Sequence, residues 1–231
     1  ETRMEENKPA FVWNCLRLVR PKQWIKNAFV FAPLVFSREL FEAGPLIATL
    51  RASIAFCLTA SSIYIINDIT DVESDRAHPE KRNRPLAAGT IRHSQAYVLL
   101  AVLVTLTVLV ALDMAARFQL VLAAYSIMNL AYSAKLKDIV LLDVFIIAAG
   151  FMLRVVGGAF AINVQVSSWI VLCTLFLSLF LGFAKRRGEL LVVHQTKPVA
   201  ERKVLVSYRV GFIDQMLTIA AAGTVISYAL Y

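Results

Sequence analysis

The sequence predicts an all-α, polytopic transmembrane helix bundle, and three observations carry that prediction. Of the 231 residues, 58% are hydrophobic, well above the roughly 45–50% apolar usage of soluble domains. The apolar residues fall in runs near the about 20 residues that a helix needs to cross a bilayer, so about seven helices with short loops use the length fully. The Lys and Arg residues gather in alternate connections between those runs. A single integral-membrane domain over residues 1–231 is the economical arrangement.

Taken in order, the apolar runs predict helices at 23–37, 46–66, 95–113, 118–132, 139–162, 168–184 and 210–231. The preceding ETRMEENKPA is polar and lacks the apolar core of a cleavable signal, so insertion rests on the helices themselves. The first run is short for a full span. Pro33 within it predicts a kink, and polar Lys26 and Asn27 near its start predict an end that faces protein or water rather than lipid. The second run ends in NDITDVESDRAHPEKRNRPLAAG, residues 67–89, which packs five acids and four bases between apolar segments. The fourth run is again short. The fifth carries Gly150, Gly157 and Gly158, small residues that permit close helix approach, and a charge, Arg154, well inside it. The sixth runs into KRRGE at 185–189. Because the seventh continues to the last residue, the pattern predicts a chain cut short, with further helices beyond it.

Orientation follows from Lys and Arg in the loops. With the N-terminus cytoplasmic, that side holds 20 bases, including those up to Lys26, those from Arg76 to Arg92, Lys135, Lys137 and those from Lys185 to Arg209, against Arg38, Arg51 and Arg117 opposite. The expectation is a multi-pass protein of the cell (plasma or inner) membrane whose active site faces the cytoplasm. The net charge of +8 is thereby concentrated on one face, where it suits anionic lipid headgroups or a phosphorylated substrate. The bases are shared among helix ends rather than presented by a soluble domain, which argues against nucleic-acid binding. Cys15, Cys57 and Cys173 show no metal or disulfide spacing, and His78, His93 and His194 lie in different loops. A monomer and a homo-oligomer are both compatible with the sequence.

The chemistry is concentrated in the charged stretch. Asp68, Asp71 and Asp75 stand at i, i+3 and i+7, so a helix continuing through them places three carboxylates on one face, with Asn67 beside them. Like charges so close favour a bound cation. Hard oxygen ligands suit magnesium, held by one or two carboxylates plus substrate phosphates. Downstream, Lys81, Arg82 and Arg84 precede Pro85 and Gly89, which suit a turn bringing guanidinium groups back over the metal, where they grip phosphate oxygens in pairs. The bland alternative is a solvated connector whose bases enforce topology; three acids at helical spacing speak against it.

Asn67-Asp68-x-x-Asp71-x-x-x-Asp75 followed by Lys81-Arg82-Asn83-Arg84-Pro85-Leu86 resembles the first aspartate-rich motif of the UbiA superfamily of intramembrane prenyltransferases. The resemblance runs along the whole chain in helix order. It implies nine transmembrane helices, Mg2+ as cofactor, and two motifs after helices 2 and 6 over a cavity open to the lipid bilayer. Typical members carry a second aspartate cluster after helix 6. This chain departs there: Lys185-Arg186-Arg187-Gly188-Glu189 holds one acid. Together with Arg20-Pro21-Lys22-Gln23-Trp24-Ile25-Lys26-Asn27, Tyr132-x4-Lys137 and Leu153-Arg154, that stretch looks like the branch of the superfamily that moves a 5-phosphoribosyl group from phosphoribosyl pyrophosphate to a polyprenyl phosphate. The resemblance implies substrate-binding roles for Lys26, Asn27, Asn67, Lys81, Arg82, Arg84, Tyr132, Lys137, Arg154, Lys185, Arg186, Arg187 and Glu189, with Asp68, Asp71 and Asp75 as the catalytic metal ligands.

Each basic group has a plainer reading beside this one. Arg154 either faces substrate or pairs with a buried acid such as Asp143; Lys185, Arg186 and Arg187 either bind phosphate or anchor the topology. Lys26 and Asn27 either contact substrate or snorkel and cap, and Tyr132 is a phosphate ligand or an interfacial aromatic. Residues 186–207 form a surface lid or a connector. The competing activity is prenyl transfer from a prenyl diphosphate to an aromatic or other small acceptor, against which the missing acids after helix 6 count. A transporter would place its charges near the midplane, whereas most charges here collect at one face.

Overall fold

The computed structural model describes residues 8–134, 136, 139, 141–195 and 209–230, with the side chains of 8–10 and 192–195 set aside. Every element among them is helical: α1 (Lys8–Val19), a 3-10 segment (Pro21–Phe31), α2 (Ala32–Phe36), α3 (Ala43–Thr70), α4 (Val72–Ala77), a 3-10 turn (Lys81–Asn83), α5 (His93–Ala111), α6 (Ala116–Ala134), α7 (Leu142–Ala161), α8 (Ser168–Gln195) and α9 (Val210–Ala229). Five of these, α3, α5, α7, the Ser168–Leu191 part of α8, and α9, are long and apolar enough to cross a membrane. The all-α expectation holds, and the chain is a multi-pass membrane protein. The 19 residues of α6 are outside that set, and the first apolar run is a 3-10 segment followed by a five-residue helix. Pro33 sits in the first turn of α2, where its missing N–H costs nothing, so it opens a helix instead of kinking one.

The chain divides into two compact units, Glu1–Ala28 with Leu50–Met114, and Phe29–Thr49 with Ala115–Tyr231. In the first, α1 ends at Arg20, whose N–H donates to the Leu16 carbonyl at 3.1 Å with the backbone left-handed at φ 56°, the position a helix stop usually gives to glycine. Pro21 then cannot continue the helix. The 3-10 segment runs antiparallel to α3: Trp24 Nε1 donates to Ser61 Oγ at 3.0 Å and Asn27 Nδ2 to Cys57 Sγ at 3.0 Å. Three residues of 3-10 helix rise about 6 Å, the same length as four residues of α-helix at about 1.5 Å each, so partners three apart on one element meet partners four apart on the other.

The charged loop between α4 and α5 is folded rather than trailing in solvent. The Pro85 carbonyl accepts from the Thr90 and Ile91 N–H groups at 3.0 and 3.2 Å, and Gly89 takes φ 71° to close the turn. Leu86 and Ile91 are thereby buried with Leu18, Ile65, Val72, Ala96 and Leu103 in one apolar cluster. Toward the other end of α3, Arg51 pairs with Asp113 and donates to the Val110 carbonyl at 3.1 Å. On α5, Val98, Val102, Val104, Val108 and Leu109 are exposed, an apolar surface of the kind a bilayer covers.

In the second unit α8 packs against α7 and α9, and α6 and α2 pack on α7. Val144, Phe183, Leu190 and Ile213 form its buried core. Glycines set the spacing. At Gly182 a Cβ would stand 2.8 Å from Val144 Cγ1, and at Gly158 it would stand 2.0 Å from the Val30 carbonyl oxygen. Since backbone cannot yield as a side chain tip can, Gly158→Ala is expected to destabilise the protein by about 1–3 kcal/mol, read as a lowered midpoint of thermal unfolding in detergent. An unchanged midpoint would show that Val30 and α7 separate freely.

Candidate active site

The first unit builds an acidic cluster compensated by arginine. Helix α3 stops at Thr70, Asp71 joins it to α4, and helical hydrogen bonding survives the junction: Asp71 N–H donates to the Asn67 carbonyl at 2.9 Å and Asp75 N–H to the Asp71 carbonyl at 2.8 Å. Asp68 and Asp75 therefore stay on one side of the joined helices, and both are buried, each 2% exposed. Arg84, carried back by the Pro85 turn, donates from one nitrogen, Nη1, to Asp68 at 3.2 Å and to Asp75 at 2.6 Å. Asp68 also accepts from Arg20 Nη2 at 2.5 Å, and the Arg20 guanidinium lies 4.9 Å from the centroid of the Tyr64 ring. The left-handed backbone at Arg20, a conformation costing about 1–2 kcal/mol outside glycine, is thus held at the residue that reaches the acids. Lys81 and Arg82 are exposed on their 3-10 turn, while Asn67 and Lys26 are half-buried. Asn27 is 1% exposed, its amide turned onto Cys57.

Among the described residues, no group of three or more His, Cys, Asp or Glu side chains is close enough to hold a metal ion by itself. Two carboxylates that share a single guanidinium nitrogen nevertheless mark a place where one cationic centre touches both. Oxygen donors in that number fit magnesium, which completes its shell with water and phosphate oxygens.

The second unit holds its charges differently. Arg186, 1% exposed, donates from Nε to Asp143 Oδ2 and from Nη1 to Glu189 Oε2, both at 2.5 Å. Gly182, one turn before it, provides the close approach to α7 that puts Asp143 in reach. A buried guanidinium needs such partners because desolvating it alone costs several kcal/mol. Its Nη2 is buried and makes no hydrogen bond. Arg187 pairs with Asp214 of α9 at 2.6 Å, and Lys185 is exposed. Arg154 is buried on α7; it donates to Tyr125 Oη at 2.7 Å and to the Gly150 carbonyl at 2.8 Å, and lies over the Tyr125 ring. Asp143, the acid expected as an alternative partner for Arg154, is the one bound to Arg186. Tyr132 is half-buried near the end of α6, and Lys137 lies outside the described residues. The partners absent from the sequence expectation are Arg20 and Tyr64 in the first unit, and Tyr125 and Asp214 in the second. The forward signals for Arg20 were its place before Pro21 and at the head of the Arg20–Asn27 stretch.

Residues 30–187 match the UbiA prenyltransferase family. Decaprenyl-phosphate phosphoribosyltransferase of Mycolicibacterium smegmatis is 38% identical over 220 residues, 94% of this chain and 69% of that protein. The protein of the same description from Corynebacterium glutamicum is 37% identical over 221 residues, 94% of this chain and 66% of its own length, so the chain spans about two-thirds of these relatives. A UbiA homologue from Archaeoglobus fulgidus, solved bound to GPP and Mg2+, superposes with a TM-score of 0.75 at 22% identity, over 94% of this chain and 77% of that one, which establishes a shared fold. With the first charged stretch and the second as far as Arg187 inside the matched residues, this chain belongs to the UbiA prenyltransferase family and is a membrane transferase.

Proposed function

We propose that the chain catalyses magnesium-dependent transfer of a 5-phosphoribosyl group from phosphoribosyl pyrophosphate to a polyprenyl phosphate, decaprenyl phosphate being the acceptor named for its relatives. The product supplies arabinan precursors of a cell envelope, and the reaction side faces the cytoplasm of the plasma or inner membrane. The observation that carries this reading is the charge of the 185–189 stretch as folded. Its one acid, Glu189, is bound to Arg186, so no acid of the stretch is left to hold a second metal, while exposed Lys185 adds positive charge for an anionic group.

In the reaction, a phosphate oxygen of the acceptor forms the bond to ribose C1 while the C1–oxygen bond to the diphosphate breaks. The acceptor is already an anion, so no general base is required, and the electron pair leaves with the diphosphate. Asp68, Asp71 and Asp75 are the metal-holding carboxylates of this reading, Asp68 and Asp75 being held together through Arg84. They would hold a magnesium ion, which would supply positive charge to the leaving diphosphate. Lys81, Arg82 and Arg84 grip its oxygens as charge develops. Lys26, Asn27, Asn67, Tyr132, Lys137, Arg154, Lys185, Arg186 and Arg187 are the further substrate contacts of this reading.

Membranes containing the protein, supplied with magnesium, polyprenyl phosphate and labelled phosphoribosyl pyrophosphate, should yield labelled lipid. A parallel reaction with a prenyl diphosphate and an aromatic acid should yield none. Product in the second reaction alone overturns the proposal in favour of prenyl transfer.

A further inference from the structure

Asp68 is contacted by two guanidinium groups. It takes Arg20 at 2.5 Å and Arg84 at 3.2 Å, and the same Arg84 nitrogen holds Asp75 at 2.6 Å. The carboxylates are almost fully enclosed, whereas the Arg20 and Arg84 side chains keep 25% and 28% of their surface. The acids are therefore fixed and the cations have an exit to water. Two buried carboxylates without counter-charge would repel and swing apart. The guanidinium groups prevent this, and in doing so they stand on the oxygens a metal needs.

Resting on the reading that Asp68 and Asp75 hold a divalent cation, we propose that Arg20 and Arg84 form a placeholder clamp. They keep the two carboxylates preformed while no metal is bound, and Arg84 is displaced toward phosphate oxygens when a divalent cation arrives with a diphosphate. Arg20, stacked on Tyr64 and delivered by a left-handed backbone, is a positioning residue for Asp68. Metal alone must compete with the clamp, so only the fraction of molecules with the clamp open binds it, and the apparent affinity is reduced by that fraction.

The test is Mn2+ binding to the purified protein in detergent, followed by electron paramagnetic resonance without any diphosphate. Arg84→Gln and Arg20→Gly should each bind Mn2+ more tightly than the unaltered chain, by up to about tenfold, as expected where an open fraction near one-tenth rises toward one. Arg20→Gly is the variant that keeps the fold, because glycine is at ease at φ 56°. Lys81→Gln and Arg82→Gln, which remove the same charge from exposed positions outside the clamp, should change the affinity much less. Equal tightening in these two variants would reduce the effect to general charge and overturn the clamp. So would unchanged or weaker binding in Arg84→Gln and Arg20→Gly. Absence of Mn2+ binding in the unaltered chain would instead remove the metal reading beneath it.

Discussion

Turnover is expected to fall about a thousandfold in Asp68→Asn, the loss of about 4 kcal/mol of charge stabilisation in the transition state. The side chain keeps its shape, so the expected loss is of charge and not of packing. Arg20 and Arg84 lose an ionised partner, but both reach water, which keeps the cost to the fold small. The variant should therefore insert into membranes and elute from size exclusion as the unaltered chain does, while labelled lipid disappears from the phosphoribosyl assay. Activity within a few-fold of the unaltered chain would remove Asp68 from the metal assignment. Loss of both activity and the folded peak would make its role structural.

Asp143→Ala should produce the largest change in stability. The substitution leaves the Arg186 guanidinium enclosed, with Glu189 on Nη1, and a second nitrogen, Nε, joins Nη2 in lacking an acceptor. Breaking a buried ion pair from one side costs about 3–5 kcal/mol, a loss to be measured as a lower midpoint of thermal unfolding in detergent. The double variant Asp143→Leu, Arg186→Met should regain most of it, because well-packed apolar residues replace a buried pair at little cost. If the single variant melts like the unaltered chain, the pair is not holding α7 to α8.

The pairing of Asp68 with Asp75 was legible because its cause is local: helical spacing keeps them on one side, though among the described residues no three acids gather there, and Pro85 with Gly89 announces the turn that returns Arg84. Arg20 was hidden because it meets Asp68 across 48 residues, and the Arg186–Asp143 pair spans 43. Apolar content placed the spanning helices but missed their polar extensions, α3 through Asn67 and Asp68 to Thr70 and α8 through Lys185–Glu189 to Gln195. Backbone hydrogen bonding, not hydropathy, ends a helix. For the same reason α1 went unforeseen: Phe11, Val12, Trp13 and Leu16 lie exposed, and Leu18 and Cys15, which do pack inward, are too few to mark a period.

The 3-10 segment and α3 work like the two scales of a vernier, graduated in threes on one side and fours on the other. Trp24 and Asn27 are two coincident marks, read against Ser61 and Cys57. One residue added between them would slide the upper scale by about 2 Å and rotate it by about 120°, putting every later mark out of phase with α3. A whole triplet restores the coincidence one division along. The length of this segment is therefore quantised, free to change over generations by three residues and closed to changes of one or two.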